Sequence, residues 1–250
     1  MELLYDKSGL EAELDALPDW QQAAYHAFES MLADTNTYPC VPARLGFLEN
    51  QLRFSFIEDP SPLEAADDLA HALKAYGDVS RECGSYTSLV AFIHTPDAFQ
   101  QQHDIEDYRS LFWSILSQTS ALDESDWPAH IPLDPEHHEW EFSFAGEPYF
   151  AFCATPAHID RQSRHFPCLL IAFQPRWVFD ELNGSTEFGR KMKNIIRKRL
   201  VDYDGMPGHP DLKWYGQADN YEWKQYFISD DDSSPSRCPF HPQQQPPIKK

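Results

Sequence analysis

The sequence predicts an α+β fold: a single domain with a mixed, mainly antiparallel sheet of about five strands covered by helices. The chain has 250 residues, of which 42% are hydrophobic and 14% aromatic, which suits one sizeable core. Segments with the two-residue period of strands are interspersed with segments that have helical spacing. Two strand patterns flank a short turn at residues 145–147 and predict a hairpin.

The first half of the chain contains two helical patterns and two strand patterns. Residues 9–33 and 63–76 place apolar side chains on one helical face. Residues 51–57 alternate between polar and apolar side chains, which predicts a half-buried strand. Residues 86–94 are apolar on both faces of an extended chain, which predicts a central strand.

The second half begins with a helical pattern at residues 105–122 and then turns to strands. Residues 140–144 and 148–154 form the predicted hairpin, and residues 168–174 form the last strong strand pattern. A helix rich in basic residues is predicted over 186–200.

Three segments divide the chain. Residues 1–34 are predicted as an N-terminal helical segment, 35–242 as the main domain and 243–250 as a mobile tail. After Tyr203 the regular patterns give way to Gly, Pro and aromatic residues. Because this stretch is too aromatic for disorder, we expect a C-terminal tail that wraps the domain.

The charge and hydropathy patterns exclude several classes of partner. The formal net charge is −20, and an acidic surface opposes binding to nucleic acid or anionic lipid. No apolar run reaches the roughly 20 residues that span a bilayer. The first residues lack the pattern of a signal peptide. We therefore expect a cytoplasmic protein that binds neither nucleic acid nor membranes.

One segment departs from the acidic character of the chain. Six basic residues lie between positions 190 and 199. We interpret them as a solvated helix face that pairs with carboxylates, and the alternative is a docking site for an anionic ligand or an acidic partner.

The first candidate for chemistry is Cys40, in the motif Tyr38-Pro39-Cys40. Pro39 and Pro42 restrict the backbone on both sides, which predicts a rigid loop. Arg44 could lower the pKa of the thiol. A rigidly held sulfur suits a metal-ligating thiolate or a nucleophile. The alternative is a buried structural cysteine, because free cysteines are among the most buried residues.

The second candidate is Cys238, in the motif Cys238-Pro239-Phe240. A Cys-Pro dipeptide followed by a hydrophobic residue recurs at haem contacts, where the thiolate can ligate iron. His241 offers a second donor. The alternative is an incidental thiol in the tail. The chain has five cysteines and no C-x-x-C pair, so neither a zinc knuckle nor a thioredoxin-type dithiol is indicated.

A third group of candidates lies between positions 158 and 165, where two histidines and two arginines share one connection. Arginine binds carboxylates and phosphates in bidentate geometry. With a haem present, Arg161 and Arg164 would suit its propionates, and His158 or His165 its iron. The alternative is a surface loop with local salt bridges.

The fourth candidate is Arg176, which precedes Trp177. Together the two side chains could clamp an anion or stack on it. Packing of Trp177 into the core explains the pair equally well.

These motifs resemble the YqcI/YcgG family, which has an [F/Y]-P-C motif near the start and a C-P-F motif near the end. Residues 38–40 and 238–240 match both motifs. Several segments between them, in the same order, are also similar to the family, so that the resemblance covers roughly residues 35–242. These segments are 140–148, 161–164, 173–180, 196–200 and 222–226.

The resemblance implies a function, because some relatives are similar to haem-dependent oxygenases that hydroxylate the nitrogen of a guanidine or amine. Such an enzyme would bind haem b and use O2 with an external electron donor, which could be a redox partner protein. The resemblance implies Cys40 as the first choice for the axial ligand of the iron and His165 as the alternative. The implied cofactor-binding residues are Cys40, His165, Arg161, Arg164, Arg176 and Cys238, and the implied catalytic residues are Cys40 and Arg164.

Two other functions remain open at this point. A non-catalytic protein could bind haem or sense oxidants through Cys40 and Cys238, which predicts a disulfide between them. A haem-free enzyme could use Cys40 as a nucleophile with a histidine as its base. The chain lacks the Gly-rich phosphate loop and the G-x-S-x-G motif, which argues against common nucleotide enzymes and hydrolases.

Overall fold

In the described part of the chain, six strands form one sheet in the order β1-β2-β3-β6-β5-β4. The structure, a computed structural model, describes residues 3–33, 37–179, 186–214 and 217–241, so the predicted mobile tail at 243–250 lies outside it. The strands are β1 (Tyr5–Asp6), β2 (Leu52–Ile57), β3 (Ser88–Ile93), β4 (Phe142–Phe144), β5 (Glu147–Ala154) and β6 (Leu169–Pro175).

The pairing of the strands confirms the predicted mixed, mainly antiparallel sheet. Only β2 and β3 run parallel, with Leu52 opposite Ser88, and the other neighbours are antiparallel. β3 has a partner on each side, as expected for a strand that is apolar on both faces. The strand that was not predicted is β1, which has two residues, too few to produce a periodic pattern in the sequence.

The described residues contain eight α-helices. They are α1 (Lys7–Glu13), α2 (Asp19–Ala33), α3 (Val41–Leu48), α4 (Pro62–Val79), α5 (Asp97–Gln100), α6 (Ile105–Ala121), α7 (Glu187–Asp204) and α8 (Trp223–Tyr226). The predicted helices are present, and the first pattern is divided into α1 and α2 just before Pro18 and Asp19. Within the described ranges no helix is both long and apolar enough to cross a membrane.

The segment after Cys40 is a helix and corrects the prediction of a rigid loop. Val41 is the first residue of α3, and Pro42 occupies a first-turn position. Proline is tolerated there because the first N–H groups of a helix have no partner within the helix. The two prolines therefore mark the start of a helix, with Cys40 as its N-cap residue.

The sheet separates two hydrophobic cores. Side chains alternate between the two faces of a strand, so Leu89 and Ala91 of β3 enter one core and Val90 and Phe92 the other. The first core lies under α4 and α6, and the second core lies under α1, α2 and α3. Burial of these aromatic and aliphatic side chains is the main stabilising contribution to the fold.

The C-terminal tail packs against the first core and confirms the prediction that it wraps the domain. Trp223 and Tyr226 are buried there, and the Tyr226 hydroxyl donates to the carbonyl oxygen of Tyr149 at 3.0 Å. Farther along, the Phe240 ring lies 5.1 Å from the ring of Trp140. The tail is thus part of the core rather than an appendage.

Gly46 gives a test of how closely α3 approaches the sheet. A Cβ atom at this position would overlap the carbonyl oxygen of Tyr86. Because a backbone atom cannot turn away, we expect Gly46→Ala to lower the free energy of unfolding by about 1–3 kcal/mol in urea denaturation. The control is Gly77→Ala in α4, where the nearest atom is 3.8 Å away. There we expect a gain of about 0.5–1 kcal/mol, because alanine favours helices. Equal stability of Gly46→Ala and wild type would refute the close approach.

Candidate functional site

A cavity of about 150 Å³ lies on the side of the sheet that faces the second core. Three of the predicted site residues line it: Cys40, Arg161 and Arg164. The other polar side chains on its wall are Tyr38, Ser163, Asp204 and His209. The rest of the wall is Pro39 and the apolar side chains of Phe152, Ile196, Leu200, Leu212 and Ile228.

Cys40 reaches the cavity from the N-terminus of α3. Burial raises the pKa of its thiol and outweighs the backbone N–H of Ala43, which acts in the opposite direction. Arg44 is not among the groups that shift this pKa, so the expectation that it activates the thiol is wrong. A thiol with a raised pKa is a poor nucleophile at neutral pH, which argues against the cysteine-nucleophile alternative.

Arg164 is buried between β5 and the tail. Its Nη1 donates to the carbonyl oxygens of Cys153 at 3.2 Å and Tyr226 at 3.0 Å, and its Nη2 donates to that of Gln225 at 3.0 Å. The guanidinium also lies 4.3 Å from the centre of the Phe152 ring. Burial lowers its pKa to about 10, so the side chain stays positively charged at neutral pH. Arg164 therefore ties the tail to the sheet at the cavity wall.

Arg161 makes a second set of contacts with the tail. Its Nε donates to the carbonyl oxygen of Ser229 at 2.8 Å and its Nη1 to that of Pro207 at 3.1 Å. Its Nη2 pairs with a carboxylate oxygen of Asp232 at 3.0 Å. The backbone N–H of Arg161 donates to Asp230 at 3.0 Å. The aspartates at 230 and 232 thus hold this arginine in place.

Sequence reasoning missed two residues of the cavity, Asp204 and His209. Asp204 ends α7 and accepts the backbone N–H of Ser163 at 2.7 Å and the Ser163 hydroxyl at 2.9 Å. His209 accepts the N–H of Asp211 on Nδ1 at 3.2 Å, and burial is the main cause that lowers its pKa. No motif marks either residue, because only the fold brings positions 163, 204 and 209 together.

The two predicted histidines lie away from the cavity wall. His165 is exposed, and its Nδ1 donates to the carbonyl oxygen of His158 at 2.8 Å. His158 is buried, with Nδ1 at 2.8 Å from the Thr155 hydroxyl and Nε2 donating to the carbonyl oxygen of Ile228 at 2.8 Å. Both ring nitrogens of His158 are thus engaged, and neither histidine shares the cavity with Cys40.

Arg176 and Cys238 also lie apart from the cavity. The Nε of Arg176 donates to Glu141 at 2.7 Å and its Nη2 to Glu222 at 3.3 Å, so this arginine holds two carboxylates of the protein itself. Cys238 packs against the first core, whereas Cys40 packs against the second. The sheet separates the two thiols, so this fold does not allow the disulfide expected for a redox sensor, which needs Cα atoms within about 7 Å.

Helix α7 forms the outer wall of the cavity and carries the basic residues. Lys193 donates to the carbonyl oxygen of Lys213 at 2.6 Å and lies 3.7 Å from the centre of the Trp214 ring. Arg197 donates to the carbonyl oxygen of Leu212 at 2.7 Å. Burial, together with Arg197, lowers the pKa of Lys193 to about 7. Two of the six basic residues, Lys193 and Arg197, therefore bind the backbone of residues 212–213. Neither interpretation of the basic residues in the sequence included this contact.

The cavity has some of the chemistry that a haem needs but not the volume. Cys40 offers a thiol and the apolar side chains offer a suitable wall. However, a cavity of 150 Å³ holds a molecule of about the size of benzene, and a haem is several times larger. Arg161 and Arg164 bond to protein groups but do not use all of their N–H groups, so the volume and not the arginines limits the fit. Separately, across the described ranges no cluster of three or more His, Cys, Asp or Glu side chains could hold a metal ion. In this conformation the cavity does not fit a haem.

Comparison with known proteins identifies relatives along nearly the whole chain. The YqcI/YcgG family matches residues 28–241. Two Bacillus subtilis (strain 168) proteins, "Uncharacterized protein YcgG" and "Uncharacterized protein YqcI", are 51% and 50% identical, each over 95% of this chain and 94% of its own length. "Putative N(omega)-hydroxy-L-arginine synthase DcsA" of Streptomyces lavendulae is 32% identical over 94% of this chain and 92% of its own length. No solved structure matches.

The buried His158 predicts a pH dependence of stability. Burial lowers its pKa from 6.5 to about 4, so between these values the unfolded chain binds a proton that the folded chain does not. Stability is therefore unaffected by this group above pH 6.5 and falls as the pH drops toward 4, by on the order of 3 kcal/mol. The measurement is urea denaturation of wild type and His158→Asn across this range. A difference between the two that is independent of pH would contradict the prediction.

Proposed function

Because this chain belongs to the YqcI/YcgG family, we propose that it is an enzyme that hydroxylates a nitrogen atom of a small amine or guanidine substrate. The observation that carries the proposal is the relative from Streptomyces lavendulae, whose name denotes a synthase of N(omega)-hydroxy-L-arginine. That relative is 32% identical and aligns over 94% of this chain. The proposal extends its type of reaction to this chain.

The proposed reaction replaces an N–H bond of the substrate with an N–OH group. One oxygen atom of O2 enters the product. The other combines with two protons and two electrons from an external donor and leaves as water. The apolar part of the cavity wall suits this chemistry, because it limits the contact of the reacting nitrogen with water. The net charge of −20 favours the approach of a cationic substrate.

The cavity presents groups in defined protonation states. Burial raises the pKa of the Tyr38 phenol and of the Cys40 thiol, so both remain protonated at neutral pH. Arg161 and Arg164 supply positive charge, and Asp204 is the one carboxylate among the described lining residues. The wall can therefore both donate hydrogen bonds and bind charged groups of a substrate.

We propose haem b as the group that activates O2, with Cys40 as its ligand; the resemblance supports this choice. The thiol, which is protonated in the described cavity, would lose its proton when it binds the iron. When bound, a haem would supply the oxygen-activating iron. Since the described cavity is too small, its outer wall would have to move outward. Helix α7 forms that wall, and Gly189 is its only buried residue among those described. Outward movement of α7 would break the hydrogen bonds of Ser163 to Asp204.

Adjacent residues of α7 give a matched test of whether hydroxylation takes place in the cavity. Ile196 lines the cavity, whereas Ile195 is 46% exposed on the outer side of the helix. We expect Ile196→Trp to fill the cavity and reduce product formation by about tenfold or more, a barrier increase of about 1.4 kcal/mol or more. Ile195→Trp should retain wild-type activity.

The assay supplies L-arginine, O2 and an electron donor and detects, by mass spectrometry, the product with one added oxygen atom. A panel of amines and guanidines extends the assay to other substrates. Absence of an oxygenated product from every substrate would refute the proposed function. Equal activity of the Ile195 and Ile196 variants would place the reaction elsewhere.

Haem binding has its own test, in which the two motif cysteines serve as a pair. Titration of the purified protein with haem should produce a Soret absorption band. Cys40→Ala should shift or abolish the band, and Cys238→Ala should leave it unchanged, because Cys238 lies on the other face of the sheet. A wild-type protein without a Soret band would remove haem from the proposal. An equal effect of both variants would refute Cys40 as the ligand.

A further inference from the structure

One turn of the chain gathers the charged groups of the cavity. Arg161, Ser163 and Arg164 lie together at the 3-10 helix Gln162–Arg164. Ser163 holds Asp204 through the two hydrogen bonds at 2.7 and 2.9 Å. Two guanidinium groups and one carboxylate therefore border the same small cavity.

These groups retain unused hydrogen-bonding capacity. A guanidinium has five N–H groups, and Arg161 and Arg164 each make three side-chain hydrogen bonds to the protein. Among the described residues, no partner is found for the two other N–H groups of each arginine. A carboxylate offers about four acceptor positions, and Ser163 fills two of those on Asp204.

The charges on the wall are not balanced. The described lining carries two positive side chains and one negative one, while Tyr38 and Cys40 are neutral at neutral pH. Two further carboxylates compensate Arg161: Asp232 pairs with its guanidinium and is 69% exposed, and Asp230 accepts its backbone N–H. Neither lines the cavity, so within the cavity two guanidinium groups face one carboxylate, and an anionic group of a ligand would be stabilised there.

We propose that this cluster binds the head group of an α-amino acid, with its carboxylate at Arg161 and Arg164 and its ammonium group at Asp204. The head group carries opposite charges on groups attached to the same carbon atom. This matches the two arginines and Asp204, because Ser163 precedes Arg164 in the chain and donates two hydrogen bonds to Asp204. The proposal deepens the proposed function, since it makes the substrate an α-amino acid rather than a simple amine.

The rest of the cavity agrees with such a ligand. Its volume of about 150 Å³ holds a group of about six non-hydrogen atoms, which is the size of an α-amino acid head group. The cavity is partly open to solvent, so the rest of a longer side chain can extend along its wall and out of it. Its wall beyond the charged cluster is mainly aliphatic and includes Ile196, Leu200 and Ile228. This surface can hold the methylene groups of a long side chain away from water.

Three related ligands test the contributions of the carboxylate and the ammonium group to binding separately. L-Arginine has both groups, agmatine lacks the carboxylate, and 5-guanidinopentanoate lacks the α-ammonium group. Calorimetric titration of the full chain should show that each analogue binds about tenfold to one hundredfold more weakly than L-arginine, as expected for charge-assisted hydrogen bonds. Binding of agmatine as tight as that of L-arginine would overturn the proposal.

A variant of Asp204 tests its assigned partner. Asp204→Asn keeps the size of the side chain and should remove the preference for L-arginine over 5-guanidinopentanoate, while the preference over agmatine stays. Asp202→Asn is the control, because Asp202 is an exposed carboxylate on the same helix. Loss of the same preference in the control would overturn the assignment. Arginine variants are avoided, because both arginines hold the tail.

The outcomes distinguish this proposal from the proposed function. If L-arginine binds with the expected preferences but no oxygenated product forms, the head-group site stands and the proposed function fails. If a simple amine is hydroxylated and the amino acid does not bind, the proposed function stands and the head-group site fails.

A haem propionate offers the same carboxylate chemistry. Haem that binds as tightly to Asp204→Asn as to wild type, with no heat from L-arginine, would assign the arginines to haem and overturn the proposal.

Discussion

The buried Arg164 guanidinium is the interaction on which the candidate site depends. It donates to three backbone carbonyl oxygens, one in β5 and two in the tail segment at 225–226. Without it, these buried acceptors would lose their donors, which costs more than the hydrogen bonds themselves contribute. Arg161 bonds to the carbonyl oxygens of residues 207 and 229 and to the carboxylate of Asp232, so two neighbouring cations fix the tail against the sheet. The cavity is the space that remains between them and α7.

Much of the fold is predictable from the sequence because burial imposes periodic patterns. The fully apolar β3 corresponds to burial on both faces, and the structure confirms it. The alternation in β2 predicted burial on one face only, and this is wrong: Ser55 and Ile57 are buried as well as Phe54 and Phe56, because both cores reach this strand. The helix α3 was missed because two prolines within four residues suggest a loop, whereas the first turn of a helix tolerates proline. β1 was missed because two residues carry no period.

The site was predictable only where a motif marks it. Cys40, Arg161 and Arg164 were identified from local sequence and do share a cavity. Asp204 has no local signature, since its role comes from two hydrogen bonds to a serine 41 positions earlier. Arg176 resembles an anion site in sequence, but in the structure it neutralises two carboxylates of its own chain. Local sequence cannot show whether a guanidinium already binds carboxylates of its own chain.

The attachment of the tail has a consequence for the order of events during synthesis. The ribosome releases α1 to β6, which contain the whole sheet, before residues 225–232. The sheet can pair and both cores can begin to form at that stage. The guanidinium groups of Arg161 and Arg164, however, each acquire two of their three acceptors only when residues 225–232 have emerged. A nascent or truncated chain would thus have its sheet complete while the pocket beside it is still open to water.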